Sequence, residues 1–322
     1  MRLIWTSLVT TAALLVGYAI ALPWVPAAGR GAAETGHATN VTRLQRYIYE
    51  RLDAPVVIVG TSLAARLPPE LLPADAVNLS QSGGSALTGL RVIVRSGAAP
   101  KLVLIESNLL THPFDRSSVD ALFTPVVSQV RGWAPILRED NRPISAAVIL
   151  TAISVEYGLG RLRYEGWLGG SGWSTSGEVR PASSPEDVFG AIFAQIEETY
   201  GQRPSDRELR EMTGQLDEMV GTLLRRGCRV AFFEMPVHPS LISSPLLRAN
   251  RETILAHFSD RGLPYLTPGS AGGLQTTDGA HLDSQAAAMV ARALARVVGA
   301  MGIVTQPFPG GGAGVPIPET AG

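Results

Sequence analysis

Ser62, Asp278 and His281 are the residues of this chain whose types and settings suit joint chemistry. A serine hydroxyl is a poor nucleophile at neutral pH, so it needs a base to take its proton, and a histidine serves when a carboxylate orients its ring. Ser62 sits in Val59-Gly60-Thr61-Ser62-Leu63, directly after the apolar run Pro55–Val59. There a buried strand is expected to stop and the chain to turn. The pair lies in Asp278-Gly279-Ala280-His281-Leu282, a Gly-containing loop ahead of the last amphipathic stretch. Serine, histidine and aspartate together form a candidate hydrolytic triad.

These residues need a scaffold that brings the two ends of the chain together. Short apolar runs at 55–59, 77–79, 102–105, 229–234 and 264–266 read as strands, and the segments between them are long enough for crossover helices. That alternation predicts an α/β fold with a parallel sheet. The stretch 205–226 is the best-marked helix: Ser205 and Glu208 make a capping box, Leu209, Met212, Leu216, Met219 and Leu223 share a face, and Gly227 ends it. A second helix is expected from Ser184-Pro185, carrying Val188, Phe189, Ile192, Phe193 and Ile196. A last one, over about 284–301, has Asp283 as its N-cap and is expected to bury Met289, Val290, Leu294 and Val297.

The ends of the chain are different in kind. From Leu3 to Val25 it is almost wholly apolar, long enough for a bilayer-spanning helix, and Arg2 places the amino terminus on the cytoplasmic side. Ala19-Ile20-Ala21 also has the small-x-small form of a signal-peptide cleavage site, so residues 1–25 read as an anchor or as a signal peptide. In both cases the remainder is expected outside the cytoplasm, in the periplasm of a Gram-negative cell. Residues 26–45 read as a linker, 46–305 as one domain, and 306–322, rich in Pro and Gly, as a disordered tail. A composition of 45% hydrophobic and 17% charged residues with a net charge of −1 suits a globular domain and argues against nucleic acid as a partner. The single cysteine, Cys228, opens the strand at 229–234 and reads as a buried structural thiol.

With these residues in view, the chain resembles the SGNH (GDSL-type) hydrolases, whose fold is a flavodoxin-like three-layer α/β/α sandwich and whose site is spread over four blocks. Gly60-Thr61-Ser62-Leu63 resembles the first block, with Thr61 in place of the usual aspartate. Gly83, in Asn78-Leu79-Ser80-Gln81-Ser82-Gly83-Gly84, falls on the oxyanion glycine. Asn108, in Ile105-Glu106-Ser107-Asn108, falls on the oxyanion asparagine, although Glu106 and Leu109 depart from that block's pattern. Asp278 and His281 match the last block. The resemblance implies Ser62 as nucleophile, His281 as base and Asp278 as its orienter. It also implies an oxyanion hole from the Ser62 and Gly83 backbone N–H groups and the Asn108 amide. Taken singly, each has a structural reading: Ser62 as a helix cap, Gly83-Gly84 as a turn, Asn108 as a loop hydrogen-bonder.

Exported members with a Gly-Thr-Ser block resemble the acyltransferase and deacylase components of bacterial exopolysaccharide machines, such as those acting on alginate or cellulose. The expected activity is therefore that of a membrane-tethered periplasmic esterase or O-acyltransferase. Its partners would be an acylated polysaccharide or cell-envelope glycan, the inner membrane and a polysaccharide synthesis or acylation complex. A lipid-directed esterase and an inactive glycan-binding accessory subunit are the alternatives. An insertion near 112–200 is longer than a crossover needs and carries Trp167 and Trp173 on a Gly-rich stretch, where they could stack on sugar rings or pin the loop to the core. Its apolar segment Ala146–Val155 could form an added buried helix. His238, after a central strand, is expected at the ligand-binding edge of the sheet. His112, His238 and His257 have no metal-ligand spacing, so no metal or other cofactor is expected.

Overall fold

A computed structural model describes residues 2–22, 36–73, 75–141, 185–268 and 274–302. All five expected strands form: β1 (Val56–Val59), β2 (Ala76–Asn78), β3 (Leu102–Glu106), β4 (Arg229–Phe233) and β5 (Tyr265–Leu266). Every pairing is parallel and the order is β2-β1-β3-β4-β5. The fold is thus α/β with a five-stranded all-parallel sheet. The chain steps from β1 outward to β2 and then returns to the other side of β1, so the strand order reverses between β1 and β3. In open parallel sheets the crevice for ligands lies at such a reversal, beyond the carboxyl ends of the strands.

Ten α-helices accompany the sheet among the described residues. They are α1 (Arg2–Ala21), α2 (Gly36–Glu50), α3 (Ser62–Ala65), α4 (Ala86–Ser96), α5 (Arg116–Leu122), α6 (Pro125–Trp133), α7 (Pro185–Gly201), α8 (Asp206–Arg225), α9 (Pro245–Phe258) and α10 (Ser284–Ala300). Both faces of the sheet are covered, which is why its strands are runs of Val, Ile, Leu and Phe rather than alternating sequences. Val57, Val59, Val103, Ile105, Val230 and Phe232 pack with α2, α4, α8 and α9. Val56, Ile58, Leu102, Leu104, Ala231 and Phe233 pack with Leu63, Leu67, Tyr200 and α10. The capping box at Ser205 and Glu208 is formed, and the expected face of α8 is buried throughout. Cys228 is buried and unpaired.

Two expectations change. The linker assigned to 26–45 is too long, because its last ten residues belong to α2, which buries Thr42, Leu44, Gln45 and Tyr47. In α10 the buried face is Ala286, Ala287, Val290, Ala291, Leu294 and Val298, so Met289 is exposed and Val297 only half-buried. Small alanines let that helix sit close to the sheet, and they carry too weak an apolar signal to set the face by hydropathy alone. α1 is long and apolar enough to cross a membrane by length and composition, a property it shares with signal sequences. Trp167, Trp173, the apolar segment Ala146–Val155 and the tail 306–322 lie outside the described residues.

Candidate active site

The nucleophile candidate is set at the end of β1 by a turn that only a glycine permits. A Cβ on Gly60 would stand 2.6 Å from Glu106 Oε2 and 2.8 Å from the Ala64 Cβ, so any side chain there would displace the turn. Thr61 is the N-cap of α3: its hydroxyl accepts from the Leu63 N–H at 3.3 Å. The cap is therefore the residue before Ser62, which leaves the Ser62 hydroxyl for other partners.

Glu106, at the end of β3, is fully buried and receives this turn. Thr61 donates to its carboxylate through the backbone N–H (2.6 Å to Oε2) and the hydroxyl (2.9 Å to Oε2). Two of the three departures from the SGNH pattern, Thr61 and Glu106, are thus hydrogen-bonded to each other. Burial pushes the Glu106 carboxyl up to about 7, against the lowering effect of hydrogen bonds from Thr61 and from the Ala64 and Asn108 backbone. The Tyr200 hydroxyl is raised too, chiefly by its own burial and then by the charges of Glu106 and Asp278.

A pH-dependent stability follows from that buried acid. Between the ordinary carboxylate value near 4.5 and about 7, the folded state holds the Glu106 proton more tightly than the unfolded chain. Stability contributed by the protonated form is therefore lost as pH rises through this window, by up to about 3 kcal/mol. Glu106→Gln cannot ionise. The difference in Tm between wild type and this variant is expected to shift by about 5–10 °C against wild type from pH 4.5 to 7.5. Parallel Tm profiles for the two proteins would remove Glu106 as the titrating group.

The other end of the chain meets this turn. His281 Nε2 lies 2.8 Å from Ser62 Oγ, and His281 Nδ1 lies 2.6 Å from Asp278 Oδ2. Asp278 Oδ1 in turn accepts from the His281 N–H at 2.7 Å and the Ala280 N–H at 3.0 Å, so one carboxylate fixes both the loop and the ring. Burial alone would raise the Asp278 pKa, but the hydrogen bonds and charge of His281 outweigh it and hold this carboxyl below the ordinary range. Asp278 is ionised at neutral pH and accepts from Nδ1, which leaves Nε2 as the acceptor facing Ser62. The loop closes on itself through Thr277 N–H to His281 C=O at 2.8 Å, and Asp283 caps α10 immediately after it.

Gly279 in this loop has φ +92°, and a Cβ there would meet the Phe193 ring at 2.2 Å. Phe193 of α7 therefore roofs the triad loop, a contact that an apolar position on a helix does not announce. Its ring stands edge-on to His238 at 5.2 Å between centroids, and the His238 N–H donates to the Gly279 C=O at 2.8 Å. His238 thus borders the triad loop, as its place after β4 suggested.

Of the three expected oxyanion donors, two are available. The N–H groups of Ser62 and Gly83 make no hydrogen bond among the described residues. Gly83 has φ +69°, the left-handed region that favours glycine, and the space where its Cβ would point is open. Asn108 is corrected. Its Nδ2 donates to the Met235 C=O at 2.9 Å, its Oδ1 accepts from the Met235 N–H at 2.7 Å, and it is 1% exposed. The amide fastens the end of β3 to the segment after β4 instead of facing the Ser62 side. Asn250 Nδ2 completes the joint by donating to the Asn108 C=O at 2.8 Å.

The remaining polar candidates lie apart from the triad. Glu234 is tied up by Arg251 and the Tyr265 hydroxyl, and His257 pairs with Asp217. No cluster of three or more His, Cys, Asp or Glu suited to a metal occurs among the described residues. The arrangement can take a proton from Ser62 and orient the base that takes it, while the N–H groups of Ser62 and Gly83 stay without a hydrogen-bond partner among the described residues. Comparison with protein-family models, with curated proteins and with solved structures finds no match for this chain, so these residues and their geometry carry the reading of the site.

Proposed function

We propose that this protein is a membrane-tethered serine esterase or O-acyltransferase of the SGNH type, acting in the periplasm on acyl esters of an exopolysaccharide or cell-envelope glycan. The observation that carries the reading is the unbroken chain Ser62 Oγ, His281 Nε2, His281 Nδ1, Asp278 Oδ2, with links of 2.8 and 2.6 Å between side chains. The strand order supports the flavodoxin-like form of the fold, since 2-1-3-4-5 is the order of that doubly wound class. The glycan and the inner-membrane location rest on the Gly-Thr-Ser block and on the apolar α1.

In this mechanism Ser62 Oγ attacks the acyl carbonyl while its proton passes to His281 Nε2, and Asp278 stabilises the imidazolium by accepting from Nδ1. The carbonyl oxygen becomes an oxyanion between the N–H groups of Ser62 and Gly83. Collapse breaks the bond to the sugar oxygen, which leaves with the proton from His281, and the acyl group stays on Ser62. A second hydroxyl, of water for hydrolysis or of an acceptor sugar for transfer, then attacks the acyl carbonyl and gives its proton to His281; the bond to Ser62 Oγ breaks, and His281 returns that proton to Ser62.

The full-length protein in detergent is expected to gain one fluorophosphonate adduct at Ser62, found by intact mass and peptide mapping, and to lose it in His281→Ala. It should also release acetate from 4-nitrophenyl acetate. An unlabelled, inactive wild type that is folded by circular dichroism would reject the esterase reading.

A further inference from the structure

Helix α2 supplies none of the triad residues, yet it is hydrogen-bonded to both elements that supply the two oxyanion donors. Asn40 Nδ2 donates to the Ser82 C=O at 2.8 Å, and Asn40 Oδ1 accepts from the Ser82 N–H at 2.8 Å. Arg43 Nη1 donates to the Ser80 C=O at 2.7 Å, and Nη2 reaches the Ala65 C=O at the end of α3 at 3.5 Å. One arginine therefore spans the loop bearing Gly83 and the helix that begins with Ser62. Asn78 ties the same two elements from the sheet side, donating to the Ala64 C=O and accepting from the Ser80 N–H.

The Asn40 contact bears on chemistry through the geometry of one peptide bond. The Ser82 C=O and the Gly83 N–H belong to the same planar, trans unit, so they point in opposite directions. Holding the Ser82 oxygen against Asn40 aims the Gly83 N–H away from Asn40, and that N–H makes no hydrogen bond among the described residues. Without that hold, a glycine at φ +69° can rotate its preceding peptide at little cost, turning a donor away from the site or a carbonyl oxygen into it. An oxyanion hole accelerates a reaction only as far as its donors are oriented beforehand.

We propose that α2 is a working part of the catalytic centre, with Asn40 and Arg43 as positioning residues that fix the Ser62 and Gly83 N–H groups relative to each other. The inference rests on the esterase reading above. It makes the first helix of the domain part of the oxyanion hole. The same helix is also fastened to residues 138–140. There Gln45 accepts from the Glu139 N–H at 2.7 Å, Arg46 pairs with Asp140 at 3.2 Å, and Glu50 with Arg138 at 2.6 Å.

The test uses full-length protein in detergent with 4-nitrophenyl acetate as substrate and benzeneboronic acid as the probe of the tetrahedral state. Asn40→Ala is expected to lower kcat by roughly 10–100-fold, short of the loss of a whole donor, with KM within about three-fold. Boronic acid affinity should fall by the same factor as kcat, whereas simple loosening of the structure would not link the two. Asn40→Asp is nearly isosteric and keeps the acceptor for the Ser82 N–H, but it sets a carboxylate oxygen against the Ser82 carbonyl. It should be at least as impaired, and it decides the matter if Asn40→Ala does not fold. Arg46→Ala removes the α2 contact to Asp140 and leaves the bonds to Ser80 and Ser82 in place, so it should keep kcat within about two-fold of wild type. An active wild type with unchanged kcat in both Asn40 variants overturns this inference alone, as does an equal loss in Arg46→Ala. A folded wild type that neither turns over nor accepts a fluorophosphonate overturns the esterase reading itself.

Discussion

Ser62→Ala is expected to lower kcat for 4-nitrophenyl acetate by roughly 10⁴–10⁶-fold while leaving the thermal transition within a few degrees of wild type. The size follows from the loss of the attacking oxygen, for which the described residues offer no substitute. The small effect on folding follows from its surroundings. The Ser62 hydroxyl bonds to His281, whereas the cap of α3 and the anchor to the sheet are both supplied by Thr61. Asp278→Asn separates orientation from attack in the same assay. An asparagine can present its NH₂ to Nδ1, which favours the ring tautomer with its proton on Nε2, facing Ser62. A loss near 10⁴-fold is then expected although every heavy atom stays in place. Asp278, whose carboxyl is held below the ordinary range chiefly by its hydrogen bonds to His281, keeps its charge and its hold on the ring into acidic pH. A Ser62→Ala protein that retains wild-type turnover would remove Ser62 from the mechanism, whatever its geometry.

The sheet was legible because a strand covered on both faces must be apolar at every position. Runs such as Val56–Val59 and Leu102–Ile105 stand out against the turn residues that bound them. The triad was legible for a related reason: its members sit at the ends of such strands, or next to a helix cap, and both are marked in sequence. Helix α2 was not. Gly36–Glu50 has a polar mean composition, and its β-branched and turn-favouring residues lower its helical signal. The spacing of Val41, Leu44 and Ile48, with Tyr47 beside them, is the pattern that could have identified it. Its hydrogen bonds to Ser80 and Ser82 cross about forty positions of sequence, and no local pattern reports those. Glu106 shows the same limit. An acid closing an apolar strand reads as a departure from the family pattern, and only contact with Thr61 gives it a role.

Asn108→Ala is expected to give the largest loss of stability among these substitutions, because motif position and side-chain direction disagree at this residue. As an oxyanion donor, Asn108 would affect kcat and leave the fold alone. In the structure its amide satisfies both the N–H and the C=O of Met235, a residue 1% exposed. Truncation therefore strands two buried backbone groups, each costing about 1–3 kcal/mol when left unpaired. It also loosens the joint between the ends of β3 and β4 from which Glu106 reaches Thr61. A total of about 2–6 kcal/mol corresponds, for a domain of this size, to a fall in Tm of roughly 5–20 °C. Asn108→Asp keeps the acceptor for the Met235 N–H but sets a buried carboxylate oxygen against the Met235 carbonyl, and should be at least as destabilised as the alanine variant. Below its melting transition, Asn108→Ala should retain kcat within about ten-fold of wild type, far from the 10²–10³-fold expected for losing an oxyanion donor. A variant with unchanged Tm and a kcat lowered by that larger factor would return Asn108 to the oxyanion hole. Its amide would then have to leave Met235 and turn toward the substrate during the reaction.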